Sequence, residues 1–319
     1  MNLTIEQIKS VTFGALRIEE QSNGLHFYKC TQKQIDAWYV LSKTLGTRAE
    51  LTAPGVRLDF HTNSKHLSFG AIGEFEVYIN GLFRAKYNME KLGGRAELAL
   101  CDPLGDALDE VRVTLIFPSH FLGAALQRLS LDDGSYIKPH QFDRKILFIG
   151  DSITQGWDSG YDSLSYAWRV MRFFNADGVV NGVGGGYFHP TVFDHIDFDP
   201  DIVILALGTN DFCKNSTTEE MRAKVSGFMD PLAKEYAGKT IFCLSPIWCA
   251  AQEKPMGHFR DCRRVVIGEA KKWGFIHING LDLVPPDPVF FADATPLHPN
   301  ALGFGIYAEN LIREMQKYL

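Results

Sequence analysis

No stretch of this 319-residue sequence approaches the ~18 consecutive apolar residues that a membrane-spanning helix requires. Positive charge is also scarce. The 32 Lys and Arg stand against 38 Asp and Glu, a formal net charge of −6, which argues against a nucleic-acid partner. The six cysteines, Cys30, Cys101, Cys213, Cys243, Cys249 and Cys262, form no C-x-x-C pair, so neither a zinc site nor a thioredoxin-like redox motif is supported. Several lie in or beside apolar segments, and buried free thiols in a reducing compartment are expected. The amino terminus, MNLTIEQIKSVTFG, lacks the basic start and apolar core of a secretory signal, so the expected location is cytoplasmic. There is no internal repeat and no low-complexity tract.

What is present reads as two domains. A hydrophobic content of 45% with 22% charged residues is ordinary for a globular protein, and the length suggests about two domains. Residues 1–138 carry strand signals. Val56, Leu58 and Phe60 alternate with Arg57, Asp59 and His61, the period of a half-buried strand. Phe75–Ile79 and Leu82–Tyr87 flank Asn80-Gly81, a strong signal for a tight hairpin. Ala96–Leu100, Val111–Phe117 and Leu126–Leu131 add further strands, with hardly any helical periodicity between them. An all-β sandwich or jelly roll is expected over 1–138. A linker at 139–144 follows, within the mixed string Ile137–Arg144.

From 145 to 319 the pattern becomes strand, helix, strand. Ile146–Gly150, Gly178–Val180, Asp201–Leu207, Thr240–Leu244 and Phe275–Ile278 read as short buried strands. Helical faces occur at Leu164–Phe174, at Met221–Leu232 behind a Thr217-x-x-Glu220 capping signature, at Phe259–Trp273 and at Phe304–Met315. Pro231 is a candidate kink. This alternation predicts a parallel sheet covered on both faces, a flavodoxin-like three-layer α/β domain.

The stretch KILFIGDSITQG places Ser152 at the carboxyl end of a strand, where ligands gather in open α/β sheets. Thr154 and Gly156 are expected in a turn, with the next helix beginning near Ser163. Asp151 directly precedes the serine, so the G-x-S-x-G elbow does not match. Downstream, Asn181-Gly182-Val183-Gly184-Gly185-Gly186 follows the second strand, Gly208-Thr209-Asn210-Asp211 follows the third, and His298-Pro299-Asn300 opens the last helix. The glycines at 184–186 let a backbone approach a substrate with no Cβ in the way. They do not fit the G-x-G-x-x-G pattern of a dinucleotide loop. A serine hydroxyl needs a base, and histidine suits that role near neutral pH. His298 is the favoured candidate, while His189 and His195 carry no pattern and read as structural or surface groups.

GDSIT, the glycine-rich loop after Asn181, GTND and HPN occur in the order of the four characteristic blocks of the SGNH (GDSL) hydrolase superfamily, which this part of the chain resembles. The resemblance implies an acyl-transfer nucleophile at Ser152 with His298 as its base. It also implies an oxyanion site made by the backbone N–H groups of Ser152 and Gly186 and the side-chain amide of Asn210. No cofactor and no metal are implied. The order of the β domain resembles, more loosely, the amino-terminal jelly roll of carbohydrate esterase family 2 deacetylases. That likeness implies a small-molecule or glycan ester as substrate, with acetyl as the acyl group; from the charge and the lack of a long apolar run, no nucleic-acid or membrane partner is expected. The same blocks serve lipases, phospholipases and thioesterases, and a carbohydrate-binding protein with a decayed site is a further alternative. The β domain is read equally as a wall of the cleft and as a scaffold.

One position departs from the superfamily. Its D-x-x-H acid falls on Thr295, in the string Asp293-Ala294-Thr295-Pro296-Leu297-His298. Either Asp293 turns back to meet the histidine as the third catalytic residue, or a backbone carbonyl orients the ring in a Ser152–His298 dyad.

Overall fold

The computed structural model describes all residues from Met1 to Leu319. Eleven strands between Thr12 and Pro139 pair antiparallel in two sheets. One sheet runs in the order Thr12–Phe13, Arg57–Thr62, Val111–Ile116, Glu74–Ile79, Leu82–Asn88, with Lys138–Pro139 also paired to Arg57–Thr62. The other runs Arg17–Gln21, Gly24–Tyr28, Ala125–Leu131, His66–Ile72, Arg95–Ala99. Their facing side chains share one apolar core, with Leu58, Phe60, Val77 and Leu115 from the first sheet and Phe27, Leu67, Phe69 and Leu129 from the second. The predicted hairpin closes through Asn80 at φ 50° and Gly81 at φ 78°, the two positive values that a type I′ turn demands.

This region is β-rich but not all-β. Helices at Ile5–Ser10, Gln32–Leu41 and Lys43–Leu51 correct the expectation. They escaped a periodicity search because each is short; the longer two bury only Ile35 and Trp38, or Leu45 and Ala49, as large or medium apolar groups. A signal was nevertheless present. Thr4-x-x-Gln7 and Thr31-x-x-Gln34 form reciprocal capping boxes at two of the helix starts.

The second region is a five-stranded parallel sheet in the order Ala176–Gly182, Arg144–Gly150, Ile202–Ala206, Thr240–Leu244, Ile276–Ile278. This is the 2-1-3-4-5 order of flavodoxin-like sheets. Alternate strand residues face opposite layers. Leu147, Val203 and Leu205 meet the helices Thr218–Glu235 and Phe259–Lys272. Ile146, Phe148, Ile202 and Ile204 meet Tyr166–Phe173 and Ala301–Met315. The helix Thr218–Glu235 runs through Pro231 as one element.

The segment after the first of these strands needs a second correction. Ser152–Gln155 is a one-turn helix, and the helix expected near Ser163 is a 3-10 turn at Asp162–Leu164 followed by Tyr166–Phe173. A single turn leaves no periodicity to read. It forms because Asp151 Oδ1 accepts the Ile153 N–H at 2.9 Å and Gly156 closes it at φ 92°.

The two regions meet over a broad face. Arg57 and Asp59 point away from the β core yet are each only 1% exposed. Arg57 donates to the Ala176 carbonyl at 3.1 Å and lies 3.5 Å from Asp177. The apolar layer under Thr218–Glu235 also includes Tyr28, Ile35, Trp38, Leu45 and Ala49.

Candidate active site

Ser152 stands at the carboxyl end of Arg144–Gly150, the strand flanked by its two sequence successors, where the sheet order reverses and a crevice opens. Close packing of the one-turn helix on this strand needs a residue without a side chain. A Cβ on Gly150 would lie 1.9 Å from Thr154 Oγ1. Ser152 itself is 8% exposed, and its Oγ lies 2.9 Å from His298 Nε2.

Asp293 does turn back. The chain closes a loop by an isolated bridge between Phe291 and Pro299 and by the Ala292 N–H donating to the His298 carbonyl at 3.0 Å. Pro296 is held within that loop, its carbonyl accepting the Ala250 N–H at 2.8 Å. Asp293 Oδ2 accepts the His298 N–H at 2.6 Å and lies 3.0 Å from His298 Nδ1. A carboxylate can only accept, so Nδ1 carries the ring proton and Nε2 is left to take the Ser152 hydroxyl proton. Thr295 is exposed and plays no part. A second carboxylate, Asp158, lies 3.4 Å from the same Nδ1. Sequence reasoning missed it, because only the fold of the loop after Gly156 brings it there.

Asp158, Asp293 and His298 place ligand atoms within 4.8 Å of one another. The nitrogen a metal would need is the one already bonded to Asp293, so these groups orient a histidine.

The expected oxyanion donors are only partly free. The Ser152 N–H, at the start of its helix, has no protein acceptor. Asn210 Nδ2 donates to the Gly186 carbonyl at 2.9 Å and lies 3.4 Å from Asp151 Oδ2. The Gly186 N–H donates to the Val183 carbonyl at 2.7 Å, closing a turn in which Gly185 takes φ 85°. Asn181 faces away from the cleft, donating to Gln34 Oε1 at 2.9 Å and so tying the strand to the helix Gln32–Leu41.

Two buried acids lie beneath. Burial pushes the carboxyls of Asp151 and Asp211 up to about 7, against hydrogen bonds from the Ile153 and Phe188 N–H groups respectively. Gln155 links the site outward: its Oε1 accepts the Gly184 N–H at 2.8 Å and its Nε2 donates to the Ser119 carbonyl at 2.5 Å.

The β-rich region supplies much of the cleft wall. Arg48 donates to the Gly184 carbonyl at 2.7 Å and lies over the Trp157 ring at 5.1 Å. Trp157 sits 6.2 Å from the His298 ring, and its other neighbour is His120 at 4.7 Å. A cleft of about 470 Å³ opens beside them, lined by Glu74, Lys86, Asp158 and Tyr161 among others. A second lobe of about 360 Å³ lies across Trp157, against Lys43, Thr47 and Arg48. None of these residues carried a sequence signal. His189 bonds to Thr191 at 2.8 Å and His195 to Glu235 at 2.5 Å, and neither lines the cleft.

Residues 148–306 match the GDSL-like Lipase/Acylhydrolase family. Solved structures align over nearly the whole chain. The salicylyl-acyltransferase SsfX3 from a tetracycline biosynthetic pathway has a TM-score of 0.81 at 18% identity, covering 96% of this chain and 94% of that one. The acetyl xylan esterase Est2A from Butyrivibrio proteoclasticus has a TM-score of 0.66 at 15% identity, covering 99% and 98%. A family two carbohydrate esterase from Clostridium thermocellum has a TM-score of 0.65 at 18% identity, covering 96% and 98%. At these identities the likeness is one of fold, and it takes in the β-rich region as well as the α/β one. No curated protein sequence matches the chain. No helix is long and apolar enough to cross a membrane.

Proposed function

The chain carries a domain of the GDSL-like lipase/acylhydrolase family, and from that premise we propose that it is a serine esterase removing short acyl groups, acetyl foremost, from carbohydrate hydroxyls. One observation carries the reading: Ser152 Oγ, His298 and Asp293 form a chain of contacts of 2.9 and 3.0 Å at a strand end. Ser152 Oγ attacks the ester carbonyl while its proton passes to His298 Nε2. Asp293, with Asp158 behind it, stabilises the imidazolium that forms. The carbonyl oxygen becomes an oxyanion held by the Ser152 N–H and Asn210 Nδ2. The Gly186 N–H, the third donor expected, is bonded to the Val183 carbonyl at 2.7 Å and is left out of this step. His298 then gives the proton to the leaving alcohol, and water cleaves the acyl-enzyme by the same route in reverse.

The carbohydrate part rests on the fold shared with carbohydrate esterases and on a polar cleft walled by Trp157 and Tyr161. The β-rich region is read with it as a jelly-roll-like sandwich that forms one side of the cleft. The cleft is wide enough to hold an alcohol where water would enter, and the fold likeness to an acyltransferase supports transfer to an alcohol as a second outcome for the acyl-enzyme.

Turnover of p-nitrophenyl acetate without added metal, together with labelling of Ser152 by a fluorophosphonate, tests this reading. Ser152→Ala is expected to abolish both. Undiminished turnover in a folded Ser152→Ala variant overturns the assignment. Adding an alcohol and assaying for its acetate separates transfer from hydrolysis.

A further inference from the structure

The loop between Val111–Ile116 and Ala125–Leu131 brings one histidine, His120, into the cleft from the β-rich region. Its hydrogen bonds fix which ring nitrogen carries the proton. Ser119 Oγ lies 2.5 Å from Asp162 Oδ1, which also accepts the Ser119 N–H at 2.8 Å. A carboxylate only accepts, so the Ser119 hydroxyl proton is committed to Asp162. The same Oγ lies 2.7 Å from His120 Nδ1, and with its proton committed it can only accept there. Nδ1 therefore bears the hydrogen, and the neutral ring presents Nε2 as an acceptor with no partner in the protein. Ser119 is itself firmly held, being 2% exposed with its carbonyl bonded to Gln155. The His120 ring faces the cleft with one edge open, is otherwise closed in by protein, and is braced edge-on against Trp157 at 77°.

The side of the site on which His120 stands decides what it meets. The histidine that takes the serine proton later protonates the leaving alcohol, so that alcohol lies on the histidine side, opposite the oxyanion donors. Asp158, which touches His298, lines the same 470 Å³ cleft as His120 and Trp157. We propose that His120 Nε2 accepts a hydrogen bond from a free hydroxyl close to the ester oxygen on the alcohol. The preferred substrates are then partial esters of diols and polyols, and the selecting residue comes from the β-rich region. This rests on the esterase reading above.

The experiment compares two acetates of equal size, 2-hydroxyethyl acetate and n-propyl acetate, with p-nitrophenyl acetate as a reference that lacks the aliphatic hydroxyl. Wild-type protein is expected to favour the hydroxylated acetate by about three- to tenfold in kcat/KM, the scale of one hydrogen bond, chiefly through KM. His120→Phe removes the acceptor and keeps a ring against Trp157. It should erase the preference, read as the ratio of kcat/KM for the two acetates in the same variant, whatever its effect on p-nitrophenyl acetate turnover. Ser119→Ala releases the tautomer, and because a hydroxyl bonds Nε2 in either form it should leave the preference standing.

Acid should reverse this bond in the wild type without removing the preference, because a protonated Nε2 donates and the substrate hydroxyl oxygen accepts. Burial lowers the His120 pKa, Lys86 and His298 push it the same way, and Asp162 and Asp158 oppose them. The acceptor form of Nε2 should therefore persist below the ordinary histidine range, and the ratio of the two acetates cancels the titration of His298. Equal kcat/KM for the two acetates in wild-type protein that turns over p-nitrophenyl acetate overturns the role of His120. Absence of turnover on all three esters overturns the esterase reading instead.

Discussion

His298 faces two carboxylates, and they are not equivalent. Asp293 holds both the backbone N–H and Nδ1 of the histidine, at 2.6 and 3.0 Å, whereas Asp158 reaches only Nδ1, at 3.4 Å. Replacing a lone triad aspartate by asparagine costs about 10⁴-fold in kcat, through the wrong tautomer and a lost counter-charge. With Asp158 still in place, Asp293→Asn is expected to lower kcat on p-nitrophenyl acetate by about 10²–10⁴-fold, within that bound. Asp158→Asn alone should cost less than about tenfold, and the double variant should fall to the bottom of the range without adding the two losses. A greater loss for Asp158→Asn than for Asp293→Asn would reassign the acid. Steady-state kcat with folding checked by circular dichroism decides it. Asn210→Ala should lower kcat by about 10²–10³-fold with little change in KM, as for any group that meets charge only in the transition state. Ser152, Asn210 and His298 were legible because each sits in a short motif beside a strand or helix end. Asp293 was ambiguous, since Pro296 favours an extended chain before it and only the closed loop 291–299 overrides that. Asp158, Trp157 and His120 belong to no motif, and their proximity to His298 exists only in three dimensions.

At the scale of elements, the helix Lys43–Leu51 carries Arg48 to the glycine loop, and its far end is closed by a residue from a strand margin. Lys29 is fully buried and its Nζ donates to the carbonyls of Arg48, Ala49 and Thr52, at 2.8, 3.1 and 3.0 Å, and to Thr52 Oγ1 at 2.7 Å. A cation there satisfies the last carbonyls and complements the helix dipole. Burial nevertheless pushes the Lys29 pKa down to about 8. Lys29→Met removes this donor from the Ala49 and Thr52 carbonyls, while the Arg48 carbonyl keeps Thr52 Oγ1 at 2.7 Å, and each buried group left unpaired costs about 1–3 kcal/mol. The expected result is a Tm lowered by several degrees, together with weaker turnover as Arg48 loses its fixed distance from Gly184. A thermal melt unchanged from wild type would show that the helix end does not depend on this cation. The sequence offered the capping boxes at Thr4 and Thr31 but not this cap, because Lys29 and Thr52 meet only once the strand Gly24–Tyr28 and the helix are both in place. Strands were legible where alternation was long, as at 75–87. They were not at Arg17–Gln21, where none of the five residues is fully buried.

Asp151 and Asp211 bear on the stability of the whole molecule. Both carboxyls are held near 7 by burial, whereas the unfolded chain releases these protons near 3.9. Between those values the folded state binds more protons than the unfolded one. Their contribution is therefore fully present below the unfolded pKa and is lost as pH rises through the folded one. The Tm should decline between pH 5 and pH 8, and Asp211→Asn should flatten that decline. A decline as steep as in the wild type would remove Asp211 from this account.

The larger question at this scale is whether the strand change near residue 140 separates two folding units. The sequence suggests it does, since alternating strands give way to βα repeats across a polar linker. The packing argues otherwise. Ile35, Trp38, Leu45 and Ala49 share one buried cluster with Val183, Phe188 and Val192 of the α/β region. Polar contacts reinforce that seam: Glu76 accepts the Asp162 N–H at 2.6 Å, Tyr78 donates to Ser163 Oγ at 2.7 Å, and Thr31 donates to Asp194 at 2.6 Å. Removing residues 1–138 would expose that apolar face and strand Gln155 and Asp162 without Ser119. Burying apolar surface is the main stabilising term in folding, so residues 145–319 expressed alone are expected to aggregate or to adopt a loosely packed state. The full chain should unfold in one calorimetric transition, with calorimetric and van't Hoff enthalpies in agreement. Two resolved transitions, or a 145–319 fragment that is monomeric and melts as high as the full chain, would show that the boundary divides folding units as well as topologies. The single transition is the expected result, because the β-rich region supplies both a layer of the α/β core and one wall of the cleft.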